Sequence, residues 1–390
     1  MSFDFDSEIS RVGTASVKYD GAEALFGTTE LIPMWVADMD FAAPEAVSRA
    51  LMERAAHQVY GYTLYPDSML DALMAWMKKR HGWEIEREWI VTCPGVVTAL
   101  HATVLAVTQP DEPVIVQPPV YPPFHSCVTG TNRRLVHNPL KLENGRYVID
   151  FEHLEQCAAA GARLLILCSP HNPVGRVWTR DELERVMDVA RRHGLNILSD
   201  EIHADLVYPG IEHTVLATLA QDGDAIITAV APSKTFNIPG LGLSALVVPD
   251  AAQRAALRKV FDQLHVQACN PFSITAFEAA YREGGPWLES LLAYLGQTRD
   301  FVRDYLLRYL PEIQLVEPEG TYLLWLDCRG MGMDDEELKR FFVRQAGVGL
   351  SPGTTFGIGG NGFMRMNIGA PRRVVATALE QIKRAFKEPC

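Results

Sequence analysis

In the 390-residue sequence no run of lysine or arginine stands out, and there is no Cys-x-x-Cys pair and no long apolar segment. Its 36 basic and 48 acidic residues leave a formal net charge of −12 with histidine neutral. A negative chain without a basic patch is poorly suited to a phosphate backbone or an anionic membrane surface. No segment approaches the length of a membrane span. These absences favour a small molecule, rather than nucleic acid or membrane, as the binding partner.

Cysteine is present, but it follows no recognisable pattern. The seven cysteines are odd in number and scattered, which fits neither a disulfide framework nor a zinc site. The first ten residues, MSFDFDSEIS, are acidic where a secretory signal needs a basic start and an apolar run. We therefore expect no bound metal and a reducing, cytoplasmic setting.

What the sequence does contain is the composition of a globular protein, with 48% hydrophobic and 22% charged residues. A chain of 390 residues exceeds one ordinary core, so we expect two domains. The sequence pattern changes after about residue 284, and a long helical stretch begins at Trp287. We predict a large domain over 44–283 and a smaller α+β domain formed by 1–43 and 284–390.

Short apolar runs alternate with helical patterns through the middle of the chain. The spacing predicts amphipathic helices from Pro44 and over 66–80, and a capping box at Thr179 opens a helix that ends at Gly194. Strands separated by helices indicate an α/β fold, with a mostly parallel sheet covered by helices. The predicted strands are Pro113–Gln117, Arg163–Cys168, Asn196–Ser199, Ala225–Ala229 and Leu243–Val248.

One lysine stands among small and polar residues with an apolar segment on each side. Its motif is APSKTFN (231–237), and the apolar run over 224–230 predicts a buried strand that leads to Lys234. Desolvation lowers the pKa of a lysine, and the neutral amine can condense with an aldehyde. A solvated surface lysine is the common alternative. Lys234 is therefore a candidate nucleophile that other motifs have to support.

Two further motifs directly follow predicted strands. Asp200 stands where a carboxylate can hold a proton on a ring nitrogen, or can simply cap the next turn. Asn172 lies between prolines in a loop of fixed shape, where it can donate to a phenolate or carboxylate oxygen or serve only the turn. Ligands of open α/β sheets collect at the carboxyl ends of strands, so we expect both residues near Lys234.

Three more segments offer complementary groups. Gly95 opens a helix with Val96 and Val97, whose free N–H groups favour an anion such as phosphate. Tyr121 stands in a proline-rich loop that could present its ring to a flat ligand, although core packing would explain it equally well. Arg365 alternates with apolar neighbours and should find an anion, either a substrate carboxylate or an internal Asp or Glu.

The order of these motifs resembles that of pyridoxal-phosphate enzymes of the fold-type-I aminotransferase superfamily. The resemblance covers nearly the whole chain and is carried by Asn172, Asp200 and the Ser233-Lys234 pair in their contexts. Four segments are similar to the cystathionine β-lyase, or carbon–sulfur lyase, branch: PMWVADMDF (33–41), YGY (60–62), DEIH (200–203) and SKTFNIPG (233–240).

This resemblance implies a role for each candidate residue. Lys234 would form the covalent link to pyridoxal 5′-phosphate, Asp200 would pair with its ring nitrogen, and Asn172 would bond its phenolic oxygen. Tyr121 would stack on the ring and Ile202 would pack on the opposite face. The predicted catalytic set is Lys234, Asp200 and Tyr121.

The remaining implied contacts concern the phosphate and the substrate. His203 would lie near the phenolic oxygen, and Arg365 with Asn172 would hold the substrate carboxylate. Tyr62 would reach the phosphate from the neighbouring subunit, which implies a homodimer. Helix-terminal amides and one hydroxyl would complete the phosphate site, namely those of Gly95, Val96, Val97 and Ser233.

The phosphate site departs from the family pattern at two positions. Many aminotransferases have a serine three residues before the lysine and an arginine eight residues after it. This chain has Ala231 and Gly242 there. We therefore expect the phosphate to be held differently, with the helix terminus and Tyr62 available for that purpose.

The branch resemblance implies β-elimination from an amino acid that carries sulfur on its β-carbon. Cystathionine, cysteine or a cysteine conjugate would yield thiol, pyruvate and ammonia. An aminotransferase, which reprotonates the cofactor instead of expelling a leaving group, is the alternative that the motifs leave open. A third reading is a non-catalytic protein that binds a regulatory partner, and the presence of Lys234, Asp200 and Arg365 argues against that as its only role.

Overall fold

A computed structural model describes residues 3–266 and 270–387. Its strands are β1 (Ile32–Pro33), β2 (Ile90–Cys93), β3 (Pro113–Val116), β4 (Arg134–His137), β5 (Lys141–Glu143), β6 (Arg146–Val148), β7 (Leu164–Cys168), β8 (Asn196–Asp200), β9 (Ile226–Val230), β10 (Ser244–Val247), β11 (Gln314–Val316), β12 (Leu323–Asp327), β13 (Val348–Gly349), β14 (Ser351–Pro352) and β15 (Phe363–Asn367). Its α-helices are α1 (Ala22–Phe26), α2 (Glu45–Ala56), α3 (Asp67–His81), α4 (Val96–Val107), α5 (Pro123–Thr129), α6 (Phe151–Ala159), α7 (Arg180–His193), α8 (Pro232–Thr235), α9 (Ala251–Gln263), α10 (Pro271–Glu283), α11 (Gly285–Tyr309), α12 (Asp335–Arg340) and α13 (Arg372–Lys387).

The central element is a seven-stranded sheet with the order β2-β10-β9-β8-β7-β3-β4. Strands β4, β3, β7, β8 and β9 run parallel, whereas β10 runs antiparallel to both β9 and β2. The predicted α/β class and mostly parallel sheet are confirmed. The sequence analysis did not predict the antiparallel direction of β10, because β9 and β10 are joined by the short α8 and a 3₁₀ turn instead of a crossover helix.

Both faces of the central parallel strands β3 and β7 are covered, which explains their unbroken apolar sequences. On β7, Leu164 and Ile166 pack in one cluster with residues of α4 and α9, while Leu165 and Leu167 pack in another with residues of α6 and α7. Successive side chains of a strand point to opposite faces, so a doubly covered strand needs apolar residues at every position.

Helix α7 shows how local sequence fixes an element. The Thr179 hydroxyl accepts from the Glu182 N–H, and the Glu182 carboxylate accepts from the Thr179 N–H, as a capping box requires. The helix ends at Gly194 in the left-handed conformation, with φ of 62°. The predicted helix is therefore confirmed at both ends.

A second, antiparallel sheet has the order β11-β12-β15-β14 and packs with α11 and α13. The early strand β1 pairs in parallel with β13, so the N-terminal region reaches the C-terminal part of the chain. Helix α12 is followed directly by a π-helical turn over Phe341–Gln345. Within the described ranges, no helix combines the length and apolarity needed to cross a membrane.

Candidate active site

The carboxyl ends of the parallel strands open on a cavity of about 270 Å³. Most of the predicted site residues line it together, although they are spread over 140 positions of the chain. The predicted residues in its lining are Gly95, Val96, Val97, Tyr121, Asn172, Asp200, Ile202, His203, Ser233 and Lys234. Arg365 contacts Asn172 at the edge of this group.

Lys234 lies on α8, one turn beyond the end of β9, and its side chain is partly buried. Its Nζ donates a hydrogen bond of 2.6 Å to the carbonyl oxygen of Ala37. Burial lowers the pKa of Lys234 to about 8, and the nearby positive charge of Arg365 acts in the same direction. A much larger fraction of this amine is neutral near pH 7 than in an ordinary lysine.

Asp200 is the last residue of β8 and is only 4% exposed. One of its carboxylate oxygens accepts a 3.2 Å hydrogen bond from the Ile202 N–H. Burial raises the pKa of Asp200 to about 7, and the adjacent Glu201 charge raises it further. A cationic N–H group placed beside this carboxylate would lower that pKa and be stabilised in return.

His203 is buried in the same wall, and its Nδ1 has no hydrogen-bond partner among the described residues. Burial, together with the positive charges of Lys234 and Arg365, lowers the pKa of His203 to about 3. The ring is therefore neutral near pH 7. Since buried polar atoms are normally paired, a group bound in the cavity would supply the missing partner.

Arg365 is in the middle of β15 and is 5% exposed. Its guanidinium donates to Asn172 Oδ1 at 3.1 Å, to the Trp35 carbonyl at 2.6 Å and to Ser351 Oγ at 3.3 Å. Over the described part of the chain it forms no ion pair, and its Nε lacks a partner. The internal carboxylate that the sequence left open is therefore absent from this region, and the arginine can receive one from a ligand.

The N-terminus of α4 forms another wall. Gly95 precedes the helix, and the first N–H groups of an α-helix have no acceptor within it. Two hydroxyl residues that the sequence analysis did not identify, Thr98 and Ser244, also line this part of the cavity, as does Gly242. These groups stand near the position where the family pattern would have had an arginine.

Tyr121 and Ile202 complete the flat part of the cavity. The backbone N–H of Tyr121 donates to the carbonyl of Asn172 at 3.1 Å, which joins the two proline-rich loops. Burial raises the pKa of Tyr121, so its phenol stays protonated near pH 7. Tyr62 is fully exposed and lies outside the lining of this protomer's cavity.

The sequence analysis missed the groups that hold the lysine. Tyr322 is buried, and its hydroxyl donates to the Ala37 carbonyl at 2.9 Å, so that one oxygen accepts from both Tyr322 and Lys234. A backbone carbonyl has no sequence signature. The segment over 33–41 was noticed only as a mark of the lyase branch.

A lysine with a lowered pKa, a buried carboxylate and a helix terminus in one cavity define a site for an anionic aldehyde cofactor. The chain belongs to the family of class I and II aminotransferases, whose sequence model matches residues 29–382. The superfamily resemblance stated from the motifs is therefore confirmed.

Among its relatives, cystathionine β-lyase PatB of Bacillus subtilis (strain 168) is 44% identical over 384 residues, which cover 98% of this chain and 99% of PatB. The structure of cystalysin from Treponema denticola, which contains pyridoxal 5′-phosphate, superposes with a TM-score of 0.96 at 36% identity and covers 100% of both chains. A pyridoxal-phosphate-bound C–S lyase from Staphylococcus hominis gives 0.93 at 33% identity, covering 100% of this chain and 99% of the other. These similarities agree with the predicted branch.

Proposed function

We propose that the protein is a pyridoxal-phosphate-dependent carbon–sulfur β-lyase that acts on amino acids with sulfur on the β-carbon. One observation above all supports an amino-acid substrate. Arg365 is buried beside the cavity of Lys234 and has no carboxylate partner in the described chain. The similarity to PatB supports β-elimination as the reaction.

The cavity fits the cofactor in its donor set. Lys234 offers an amine, Asp200 a carboxylate for the ring nitrogen, and Asn172 with the unpartnered His203 offers groups for the phenolic oxygen. Tyr121 and Ile202 would lie against the ring faces. The phosphate would be held by the α4 terminus and nearby hydroxyls, from among Gly95, Val96, Val97, Thr98, Ser233 and Ser244.

Pyridoxal phosphate, when bound, supplies an aldehyde for the lysine and a ring that accepts the electron pair released at the substrate α-carbon. Arg365 and Asn172 would hold the substrate carboxylate and so place the α-carbon near Lys234. Lys234, with its lowered pKa, would take the α-proton at Nζ. Asp200 would keep a proton on the ring nitrogen. The thiolate then leaves the β-carbon, and hydrolysis of the three-carbon remainder gives pyruvate and ammonia.

The test is to incubate the purified holoenzyme with L-cystathionine and no keto acid, while following pyruvate, thiol and the absorption spectrum. Sustained release of pyruvate and thiol is expected from a lyase. A single turnover that only an added keto acid restarts would replace this proposal with an aminotransferase. The Lys234→Ala variant is the matched control, because it removes the amine and should abolish release by either route.

We also propose that two copies form a homodimer with Tyr62 serving the partner's phosphate site. The segment around it presents a row of exposed apolar side chains: Val59, Tyr60, Tyr62 and Leu64. Burial of such a row against a second copy would remove apolar surface from water. Sedimentation should give a dimer, and Tyr62→Phe should weaken phosphate-dependent cofactor binding while the dimer persists. A monomer with full cofactor affinity would refute the proposal.

We propose a cytoplasmic location because of the state of the cysteines. Five of them, Cys93, Cys127, Cys157, Cys168 and Cys328, are free and buried in the described chain. Reduced thiols are typical of a reducing compartment. Activity measured in separated cell fractions should follow the cytoplasmic fraction, and activity confined to another fraction would contradict this assignment.

A further inference from the structure

A buried carboxylate that contacts helix α8 has no part in the chemistry described so far. Asp205 is 4% exposed and follows β8 by five residues. One of its oxygens accepts from Trp76 Nε1 at 3.0 Å and is 2.9 Å from His81 Nε2. The other oxygen accepts from the Thr235 hydroxyl at 2.8 Å. Three side chains from two separate helices therefore lie within hydrogen-bond distance of this one group, and Arg80 Nε lies 4.0 Å from it.

Asp205 is charged in this setting. Burial alone would raise its pKa, but the hydrogen bond from His81, the His81 charge and the Thr235 hydrogen bond outweigh burial and lower the pKa. Removal of a donor would leave part of a buried carboxylate unsatisfied, which is costly. The contacts are therefore held strongly, and they fix Thr235 relative to α3.

Thr235 is the residue after Lys234 and the last residue of α8. A helix of four residues has too few internal hydrogen bonds to hold its own direction. On the far side of Thr235, the Asn237 side chain accepts from the Met39 N–H at 2.9 Å and donates to the Phe41 carbonyl at 2.8 Å. The turn that carries Lys234 is thus held by side-chain contacts rather than by the helix itself.

We propose that Asp205 is a positioning residue for Lys234, acting through the Thr235 hydroxyl. The inference rests on the proposed role of Lys234 as the cofactor-binding lysine. Asp205 does not itself line the cavity, so its effect is on the position of the Lys234 amine. His81 and Trp76 hold the carboxylate in place.

The chain offers a closely matched set of variants. Thr235→Val removes the hydroxyl with little change in shape, and Thr235→Ser keeps it. Thr228→Val is the control, because Thr228 is equally buried on β9 and its hydroxyl has no partner in the described residues. Four quantities are measured on each holoenzyme: the pH midpoint of the lysine–cofactor absorption band without substrate, kcat, KM and the thermal midpoint.

Thr235→Val should shift the pH midpoint of the absorption band and lower kcat about tenfold, since small misplacements of a reacting group have effects of this size or larger. Thr235→Ser should restore both quantities, and Thr228→Val should leave both unchanged. If Thr235→Val matches Thr228→Val in midpoint and kcat, or changes only the thermal midpoint, the positioning role is refuted.

Asp205→Ala removes the same contact from the acceptor side. Its midpoint shift should not add to that of Thr235→Val in the double variant, because both remove one interaction. Additive shifts would mean that Asp205 acts by another route and would overturn the proposal. A wild-type protein that releases no thiol would refute the proposed reaction, but the substrate-free absorption band would still test the role of Asp205.

Discussion

At the residue scale, the proposed substrate class rests on Arg365. Its Nη atoms hold Asn172 Oδ1 and the Trp35 carbonyl, so its fork is already oriented before a ligand arrives. An arginine fork can form two parallel bonds to a carboxylate, whereas a lysine supplies only a point charge. Substitution by lysine therefore separates geometry from charge.

We expect Arg365→Lys to raise KM for an amino-acid substrate at least ~tenfold, the equivalent of losing one charge-assisted hydrogen bond. The absorption spectrum of the bound cofactor should stay unchanged, because Arg365 is not assigned to cofactor binding. Steady-state kinetics with L-cystathionine measure this. An unchanged KM would remove Arg365 from substrate recognition.

The pKa of Lys234 predicts how cofactor uptake depends on pH. Its pKa is lowered to about 8, and only the neutral amine can condense with an aldehyde. The rate of covalent cofactor uptake by the cofactor-free protein should therefore rise as pH increases through about 8 and level off above it. Stopped-flow absorbance measures the rate. A rate that keeps rising tenfold per pH unit beyond pH 9 would contradict the lowered pKa, because that is the behaviour of an ordinary lysine amine.

Tyr322 offers a second test beside the lysine. Its hydroxyl shares the Ala37 carbonyl with Lys234 Nζ, and Tyr322→Phe removes only that hydroxyl. The carbonyl would then accept from the lysine alone. We expect kcat to fall by about threefold to tenfold, since one modest hydrogen bond near the reacting group is lost. Turnover equal to that of the wild type would mean that the hydroxyl serves packing only.

Residue types and their order predicted the side chains that form the cavity, because Lys234, Asp200 and Asn172 each stand at a strand end with a recognisable context. The same reasoning could not find the Ala37 carbonyl or Tyr322. A backbone acceptor has no residue signature, and a tyrosine at the start of an apolar strand is most simply explained by packing.

At the scale of elements, the N-terminal segment is held by charge rather than by regular structure. Lys18 is 1% exposed, and its Nζ lies 2.7 Å from Asp40 and 3.9 Å from Asp38. Arg11 bonds both carboxylates as well. Parts of this segment line a cleft that also contains Lys234, so the network lies directly beside the proposed active site.

Lys18→Met should lower the free energy of unfolding by about 3 kcal/mol, because it leaves buried carboxylate charge with one fewer partner. Urea unfolding at pH 7 measures this. Thr179→Ala, which removes the cap of α7 far from the network, should cost only about 1 kcal/mol and serves for comparison. Equal losses in the two variants would show that the network adds nothing beyond an ordinary contact.

The elements that were predicted well are those with one strong signal. Doubly covered strands such as β3 and β7 have unbroken apolar runs, and α7 has a cap at both ends. The edge strand β4 was missed because its residues are partly exposed and mixed in character. The π-helical turn after α12 follows from packing that local sequence does not encode.

At the scale of the whole molecule, the buried charges of the active site lower the free energy of unfolding. The folded pKa of Asp200 is raised from 3.8 to about 7, so the folded state holds a proton that the unfolded chain has released between these values. Stability therefore falls as pH rises from about 4 to about 7. The cost is complete above the folded pKa.

Asp200→Asn should consequently stabilise the cofactor-free protein at pH 8 by a few kcal/mol relative to the wild type, and by little at pH 4. Urea unfolding of both proteins across this range measures the difference. The same variant should lose most of its activity. A difference in stability that does not grow with pH would argue against the raised pKa.

Arg365 and Lys234 are positioned by different sheets, since Arg365 is on β15 and the helix α8 that bears Lys234 directly follows β9. A substrate that contacts both Arg365 and Lys234 would span the gap between these two side chains. The spacing of the two sheets would therefore determine how many bonds can separate the substrate carboxylate from the carbon that reacts. A β-amino acid, with one carbon more, would bring the wrong atom to the lysine. The sulfur substituent lies beyond that span, and its size would be left free to vary.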